Sequence, residues 1–388
     1  MGQGRIVIVA GETSGDNLAA GLIRALSARR PGLVFEGIAG PAMLAAGCEA
    51  WARSDALAVM GLFEVLTHLP RLIALRREVL ARTRAAAPLA YIGVDAPEFN
   101  LGIAARLHAG GIPTVQYVSP QVWAWRQGRV RTMARTLDLV LCLLPFEKPF
   151  YDQAGLCAAF VGHPLADRVP LEPDQGAARD RLGLPREATV VALLPGSRRG
   201  EVERLADDFL GAAAWLARRR PGVRFVAPMA NAVARGVFAA RLAAYPGLEL
   251  LMTDGESETA LTAADCVLVT SGTATLETLL CKRPMVVAYR ASWATVTLVR
   301  LLRLMKAPFF AQPNLLAGRR VVPELLQEEV TPERLGAELE GWLSDPSRSA
   351  AAAAEFRRIH EELRQGASER AADAVLALID RRVAGAAG

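Results

Sequence analysis

Short, wholly apolar runs alternate with longer amphipathic runs along most of the chain. Runs rich in Val, Ile and Leu and bounded by Gly, Pro or Asp predict buried strands, and the amphipathic runs between them predict helices. In chain order, the predicted strands are Arg5–Ala10, Leu33–Ile38, Leu89–Val94, Thr114–Val118, Leu139–Leu144, Phe160–Gly162, Val190–Leu194, Arg224–Ala227, Leu248–Met252, Cys266–Val269 and Met285–Ala288. The predicted helices include Asn17–Arg29, Phe99–His108, Arg126–Leu137, Glu201–Arg218 and Thr275–Cys281. Apolar strands separated by helices are typical of parallel sheets covered on both faces, so the predicted fold class is α/β.

The alternation stops over residues 164–185, where four prolines stand among glycines and charged residues. This segment predicts a linker between two doubly wound domains, residues 1–165 and 186–345, with a cleft between them. Residues 346–388 are predicted to form C-terminal helices. The last of these, roughly Ser368–Val383, could pack back on the first domain.

Composition narrows the class of protein. The 52% hydrophobic and 22% charged content excludes wholesale disorder. Lys and Arg number 45 against 40 Asp and Glu, a net charge of +5 that suits an anionic small molecule or an anionic membrane surface and gives no argument for nucleic acid. Five cysteines without a CxxC pair argue against a disulfide framework or a zinc ribbon. No apolar stretch is long enough to span a membrane, so we expect a cytosolic protein with the option of membrane contact.

Ligands of parallel α/β sheets bind at the loops that follow the strands, and three such loops in the first domain are polar. The loop AGETSGD at 10–16 matches neither GxGxxG nor a Walker A motif and is equally consistent with a capped turn. Asp95 ends an apolar strand, where partial burial would raise its basicity and suit it to act as a base; capping the helix that starts near Phe99 is the alternative. Glu98 is predicted to cap that helix. The loop at 117–126 carries two tryptophans, which suit packing over a sugar ring or an acyl chain; closing the domain edge is the alternative for at least one of them.

Two loops of the second domain suit an anion. The loop LPGSRRGE at 194–201 combines free backbone N–H groups at a helix start with the guanidinium of Arg198. The loop TSGTATLE at 270–277 exposes N–H groups beside small hydroxyl residues, and the Glu277 carboxylate could accept two ribose hydroxyls. A capping box from Thr273 to Glu277 would need no ligand and is the alternative. Together the loops predict a nucleotide diphosphate whose reactive end faces a base in the first domain. No metal is expected, because a DxD triplet is absent.

The segment at 60–77 is too apolar for an ordinary surface helix and too charged to span a membrane, and it is basic at one end. This profile predicts docking on an anionic lipid surface; a core helix with a basic rim is the alternative. The predicted docking side chains are Leu62, Phe63, Val65, Leu66, Leu69 and Leu72.

Taken together, eight motifs resemble the lipid-A-disaccharide synthase family in order and spacing, from the first strand to about residue 330. They are AGETSGD at 10–16, GVDAPEFN at 93–100, YVSPQVWAWRQGRV at 117–130, LPFEKPFY at 144–151, VGHPLAD at 161–167, LPGSRRGEVERL at 194–205, TSGTATLETLL at 270–280 and PNLLAGRRVVPELLQ at 313–327. The resemblance implies an inverting glycosyltransferase of GT-B type, with two Rossmann-like halves and no required metal or other cofactor. It implies transfer of 2,3-diacylglucosamine from UDP to the 6-hydroxyl of 2,3-diacylglucosamine 1-phosphate (lipid X), giving the β-1,6 tetraacyl disaccharide 1-phosphate and UDP.

The resemblance also implies roles for individual residues. Asp95 would deprotonate the acceptor, Arg198 would steady the diphosphate and Glu277 would hold the ribose. The nucleotide side is assigned to Gly196, Ser197, Arg198, Ser271, Gly272, Thr273, Thr275, Glu277 and Asn314. The acceptor or sugar side is assigned to Glu12, Ser14, Asn100, Gln121 and Trp123. Family members act as peripheral proteins at the cytoplasmic face of the inner membrane, and some form swapped dimers, so a homodimer is a possible state.

Two other functions stay open at this point. One is a related UDP-sugar enzyme, such as a 2-epimerase or a transferase to a soluble acceptor, against which the apolar basic segment argues. The other is a nucleotide- or lipid-binding protein without catalytic activity. The polar loops of an otherwise apolar fold argue against this function.

Overall fold

The computed structural model describes residues 4–57, 62–120, 128–291 and 309–387, and the chain divides into two compact units. The first unit comprises residues 1–167 together with 363–388, and the second comprises residues 168–362. Each unit is an α/β fold built on one parallel sheet.

Seven strands form the sheet of the first unit within the described residues, in the order β3-β2-β1-β4-β5-β6-β7. They are β1 (Arg5–Ala10), β2 (Val34–Ala39), β3 (Cys48–Arg53), β4 (Ala90–Val94), β5 (Thr114–Tyr117), β6 (Leu139–Cys142) and β7 (Ala158–Phe160). All pairings are parallel. The helices that accompany them are α1 (Thr13–Arg29), α2 (Pro41–Ala45), α3 (Leu62–Ala86), α4 (Pro97–His108), α5 (Arg129–Met133), α6 (Glu147–Asp152) and α7 (Pro164–Arg168), with a 3-10 turn at Ser54–Ala56.

Side chains of the central strand β1 alternate between two cores. Ile6 and Ile8 point into a cluster that contains residues of α1, whereas Val7 and Val9 point into a cluster that contains residues of α4. From Ile6 to Ala10 both faces of the strand are buried, so these five positions are apolar and form a continuous hydrophobic run in the sequence.

The second unit repeats the arrangement with the strand order β10-β9-β8-β11-β12-β13. Its strands are β8 (Val190–Leu194), β9 (Arg224–Met229), β10 (Leu250–Asp254), β11 (Cys266–Thr270), β12 (Met285–Tyr289) and β13 (Glu324–Leu326). Its helices are α8 (Gln175–Leu182), α9 (Arg199–Arg219), α10 (Ala232–Leu242), α11 (Ser257–Ala263), α12 (Thr273–Leu280), α13 (Gln312–Ala317), α14 (Pro332–Ser344) and α15 (Pro346–Leu363), with a 3-10 turn at Gln327–Glu329. The chain ends in α16 (Ala367–Ala387), a helix of the first unit.

Two edge strands were missed by the apolar-run criterion. β3 has a single buried position, Cys48, and includes Glu49 and Arg53, and β13 is only three residues long. The predicted strand at 248–252 lies two residues further along, at Leu250–Asp254. The helix predicted over 126–137 is shorter, because within the described residues only Arg129–Met133 is helical.

The segment at 164–185 differs from the predicted linker. The chain passes from the first unit to the second after residue 167, and α8 packs against α11 in the second unit. Arg179 is buried there and makes two hydrogen bonds of 2.8 Å to the Asp265 carboxylate. The charged residues of this segment are therefore not all exposed, as they would be in a linker, because Arg179 is buried in an ion pair.

The two C-terminal helices belong to different units: α15 lies in the second, while α16 packs against α1 in the first. No helix within the described ranges combines the length and the apolar character that crossing a bilayer requires.

Candidate functional site

The strand order of each unit contains one position where the direction of winding reverses. In the first unit it lies between β1 and β4, and in the second between β8 and β11. At such a position the two loops leave the sheet on opposite faces and open a crevice at the carboxyl ends of the strands, where ligands of doubly wound sheets bind. The loops at 10–16 and 93–100 flank the first of these positions, and the loops at 194–201 and 270–277 flank the second.

Asp95 is the first residue after β4 and sits at the carboxyl edge of the first sheet. Burial raises the pKa of its carboxyl group, and the negative charge of Glu12 raises it further, while a hydrogen bond from the Ala96 backbone works in the opposite direction. Asp95 and Ala96 both have left-handed backbone, with φ of 52° and 41°. A partly buried carboxylate of raised basicity on a strained loop has the properties of a general base.

Asn100 does not face the crevice as expected of an acceptor contact. It is completely buried, and its Nδ2 donates to the Asp95 carbonyl at 2.9 Å and to the Val9 and Val94 carbonyls at 3.4 and 3.5 Å. Its Oδ1 accepts a hydrogen bond of 2.8 Å from the Tyr91 hydroxyl. The assignment of Asn100 to the acceptor side is corrected, because its buried amide is hydrogen-bonded to backbone carbonyls at the ends of β1 and β4.

The loop after β1 separates into exposed and structural residues. Glu12 and Ser14 are exposed. Asp16 is buried, and its carboxylate accepts backbone hydrogen bonds of 3.0, 2.8 and 3.0 Å from Gly40, Ala42 and Met43. Asp16 belongs to the first turn of α1, but its carboxylate caps the start of α2.

Glu98 also differs from its predicted role. The N-cap of α4 is Ala96, and the Glu98 carboxylate instead binds the Arg129 guanidinium at 2.6 and 3.2 Å. Gln121 and Trp123 lie outside the described residues.

In the second unit, the N–H groups of the loop after β8 are partly occupied by the chain itself. The Glu201 carboxylate accepts hydrogen bonds of 3.2 and 3.3 Å from the Ser197 and Arg198 N–H groups, and it lies 3.6 Å from the Arg198 guanidinium. Gly196, at φ 127°, leaves room for this carboxylate, because a Cβ there would meet Glu201 Oε2 at 2.8 Å. The expectation of free N–H groups at these two positions is corrected. The Arg198 side chain remains largely exposed at the start of α9.

The loop after β11 has an open N-terminus. Gly272 is the N-cap of α12, has φ of 151°, and with Thr273 is exposed; no side-chain cap bonds the helix start, so the capping box from Thr273 is wrong. Thr275 is fully buried and donates its hydroxyl to the Gly272 carbonyl at 2.8 Å, which corrects its assignment as a nucleotide contact. Ser271 donates its hydroxyl to the Phe310 carbonyl at 3.2 Å.

Glu277 lies one turn into α12 and is mostly buried. Burial raises the pKa of its carboxyl group, and a hydrogen bond of 3.2 Å from the Ser257 hydroxyl and the charge of Arg168 oppose that rise. Ser257 begins α11, so Glu277 joins the first turns of two helices. One carboxylate oxygen is bonded in this way, and the group retains capacity to accept hydroxyl hydrogens.

Asn314 is fully buried, and its side chain hydrogen-bonds the segment that leads into β13. Its Oδ1 accepts from the N–H groups of Val321 and Val322 at 2.7 and 2.9 Å, and its Nδ2 donates to the Val322 carbonyl and the Glu324 carboxylate at 3.0 and 2.7 Å. Glu324 in turn accepts from the Phe310 and Ala311 N–H groups at 3.2 and 3.0 Å. The assignment of Asn314 to the nucleotide lining is corrected. Its network instead fixes the segment whose carbonyl receives the Ser271 hydroxyl.

Sequence reasoning missed two side chains at these edges. Gln116, inside β5, donates to carbonyls of two loops. Asn231 caps α10 and donates to the Ser197 carbonyl at 2.9 Å, which ties the β9 loop to the β8 loop. The polar residue within an apolar strand was a usable signal for Gln116; nothing local pointed to Asn231. No cluster of three or more His, Cys, Asp or Glu side chains suited to a metal occurs in the described parts of the chain.

Solved structures share this architecture. The kitacinnamycin glycotransferase matches with a TM-score of 0.64 at 19% identity, covering 98% of this chain and 99% of that one. A UDP-GlcNAc 2-epimerase from Neisseria meningitidis, bound to UDP-GlcNAc, matches with a TM-score of 0.61 at 10% identity, covering 92% and 98%. At these identities the likeness establishes the fold alone. Two Rossmann-like units, each built on a doubly wound parallel sheet, define a protein of the GT-B fold.

Sequence comparison gives the particular family. The lipid-A-disaccharide synthetase family model matches residues 6–378. The lipid-A-disaccharide synthase of Alkalilimnicola ehrlichii is 51% identical over 376 residues, which cover 96% of this chain and 98% of that protein. The chain belongs to the lipid-A-disaccharide synthetase family.

Proposed function

We propose that this chain transfers 2,3-diacylglucosamine from its UDP conjugate to the 6-hydroxyl of 2,3-diacylglucosamine 1-phosphate, forming the lipid A disaccharide and releasing UDP. Membership of the family supports this activity. In the inverting reaction, the acceptor oxygen bonds to the anomeric carbon as the bond from that carbon to the diphosphate oxygen breaks. The acceptor proton passes to a base, and the leaving UDP carries the electron pair.

Asp95 is the proposed base. Its position at the carboxyl edge of the first sheet, its partial burial and its raised pKa support the role. A carboxylate in water is a weak base, and removing part of its hydration brings its proton affinity closer to that needed near neutral pH. A single base is sufficient for one-step inversion with an activated leaving group, in contrast to the carboxylate pair of glycosidases.

The proposed UDP site is the loop pair of the second unit. Arg198 and the open N-terminus of α12, with Gly272 and Thr273 exposed, supply positive potential for the diphosphate. Glu277 supplies a carboxylate for the ribose hydroxyls. We propose that the guanidinium and the helix N-terminus meet the leaving-group charge without a metal ion, and we expect turnover to be unchanged by a chelator such as EDTA.

Peripheral contact with an anionic bilayer at the cytoplasmic face of the inner membrane is proposed for α3. Leu69 and Ile73 are 43% and 41% exposed and lie one turn apart, so they share one face of the helix. Arg71 and Arg77 are exposed on the same helix. Exposed apolar side chains next to cations suit an anionic lipid surface. The side chains of Leu62, Phe63, Val65 and Leu66 lie outside the described part of the chain, and Leu72 is half-buried.

The test is an assay of the full-length protein with both diacyl sugars. We expect release of UDP together with the tetraacyl disaccharide 1-phosphate. The Asp95→Asn variant should lose activity by about 10²- to 10⁴-fold and keep its affinity for UDP, because general base catalysis contributes that much and the nucleotide loops are untouched. Release of UDP from the donor without disaccharide formation, or equal rates with an acceptor that lacks acyl chains, would contradict the proposal.

A further inference from the structure

Three residues with left-handed backbone lie on adjacent loops at the carboxyl edge of the first sheet. Asp95 and Ala96 follow β4, and Val118, with φ of 73°, follows β5. This conformation is unfavourable for residues with a Cβ atom, and most of all for a β-branched residue such as Val118. It persists only where surrounding contacts hold it, and clusters of this kind occur at functional sites.

The Gln116 side chain provides such contacts. Gln116 is 1% exposed, and its Nε2 donates to the Asp95 carbonyl at 3.1 Å and to the Tyr117 and Val118 carbonyls at 3.3 Å each. The Tyr117 carbonyl also accepts the Asp95 N–H at 2.8 Å. One buried amide therefore binds the backbone on both sides of the gap between the β4 and β5 loops.

The side-chain amides of Gln116 and Asn100 both bond the Asp95 carbonyl, and each connects it to a different strand end. The Asn100 amide reaches the carbonyls of Val9, Val94 and Asp95, and so it joins β4 to β1. Asn100 has little room to shift, because a Cβ at Gly93 would lie 2.6 Å from its own Cβ. Of these two side-chain amides, only that of Gln116 connects the Asp95 carbonyl to the backbone at the end of β5. The Asp95 carbonyl, with one donor from each amide, has both of its lone pairs engaged.

We propose that Gln116 is a positioning residue for the reaction: by joining the ends of β4 and β5, its amide fixes the direction in which the Asp95 carboxylate points. The inference rests on the proposed role of Asp95 as base. Gln116 is buried, so it acts through the backbone and makes no contact with substrate. A base displaced by about 1 Å from its productive position loses up to about a hundredfold in rate.

The first test replaces Gln116 with Met, which has similar length and no donor. Gln116→Met should lower kcat by about ten- to a hundredfold, with the KM of the UDP-sugar and the affinity for UDP unchanged. Thr114→Val is the matched control. Thr114 lies two residues earlier on the same strand, is equally buried, and bonds the Thr136 carbonyl and the Asp138 carboxylate at 3.2 and 3.1 Å at the opposite edge of the sheet.

Thr114→Val is expected to lower the unfolding free energy and to keep kcat. If Gln116→Met keeps kcat, or if both variants lose kcat in proportion to their loss of stability, the positioning role is overturned.

The second test is Gln116→Glu, which remains informative if the Met variant fails to fold. A protonated glutamic acid can donate one hydrogen bond to the Asp95 carbonyl, whereas the ionised form can only accept. Activity relative to the parent protein should therefore fall as the pH rises and the introduced carboxyl group ionises. A ratio of activities that does not change with pH would overturn the proposal.

Asp95→Asn, assayed in parallel, separates this inference from the proposed function. Loss of activity in Asp95→Asn with full activity in Gln116→Met would overturn the positioning role and leave the base in place. Full activity in Asp95→Asn would overturn the base assignment, and the positioning role with it.

Discussion

At the scale of single residues, the ionisation of Asp95 should control activity on the acid side. The base must be deprotonated, so kcat/KM should rise with pH through a pKa that burial and Glu12 hold above the ordinary value. Glu12→Gln removes one negative charge and should shift this rise to lower pH. Glu49→Gln, an exposed carboxylate of β3, is the control and should leave the profile in place. A profile unmoved by Glu12→Gln would show that another group titrates.

The same raised pKa has a consequence for stability. A carboxyl group whose pKa is higher in the folded state contributes stability below its unfolded pKa, about 4, and loses that contribution as the pH rises through the folded value. Asp95→Asn removes the ionisation. The variant should therefore unfold at higher denaturant concentration than the parent near neutral pH, and the gain should disappear below about pH 4. A gain that is the same at all pH values would contradict this explanation.

Glu201 should weaken the binding of UDP while it shapes the loop. Its carboxylate accepts the Ser197 and Arg198 N–H groups and pairs with the Arg198 side chain. Glu201→Gln keeps an acceptor and removes the charge, so UDP should bind about two- to tenfold more tightly, measured by calorimetry. Glu203→Gln on the same helix, whose partner is Arg199, is the control and should leave UDP affinity unchanged. Weaker UDP binding in Glu201→Gln would mean that the charge itself is needed to hold the loop.

At the scale of elements, substitutions on α3 should distinguish side chains that contact the membrane from side chains that stabilise the fold. Because Leu69 and Ile73 are exposed, replacing both with Ser should reduce binding to vesicles that contain anionic lipid and hardly change the unfolding free energy. Leu44→Ser changes a leucine of α2 that is 41% exposed and should keep vesicle binding. Val79→Ser, at a 1% exposed position of α3, should destabilise the protein instead. Unchanged vesicle binding in the double variant would rule out this face as the contact.

At the scale of the whole molecule, the C-terminal helix α16 completes a core that begins at the first strand of the chain. Ala371, Val375 and Ile379 of α16 are buried against the cluster that contains Ile6 and Ile8. Exposed ion pairs, among them Arg29 with Asp373, border this contact. Ile379→Ala should cost about 2–5 kcal/mol in the free energy of unfolding, whereas Asp373→Asn should cost little, because exposed pairs are screened by water. Chemical denaturation of both variants tests this, and equal losses would contradict it.

The sequence by itself was sufficient for the α/β class, most of the strands and the polar loops that follow them. Parallel strands that are buried on both faces are apolar at most positions, and this pattern can be recognised in the sequence alone. Asp95, Arg198, Gly272 and Glu277 were predicted because the loops and helix starts that follow such strands mark the ligand edge of the sheet, and their roles stay predictions.

Only the tertiary structure decided which polar residues serve the fold. Asn100, Thr275 and Asn314 look like ligand contacts in sequence, yet each is buried and bonded to backbone groups that are remote in sequence or hidden by the turn geometry. The same holds for Glu201, whose carboxylate occupies N–H groups that the sequence presents as free. A local pattern records which groups a residue carries, but the partners that satisfy a buried hydrogen-bonding group come from strands and loops brought together only by folding.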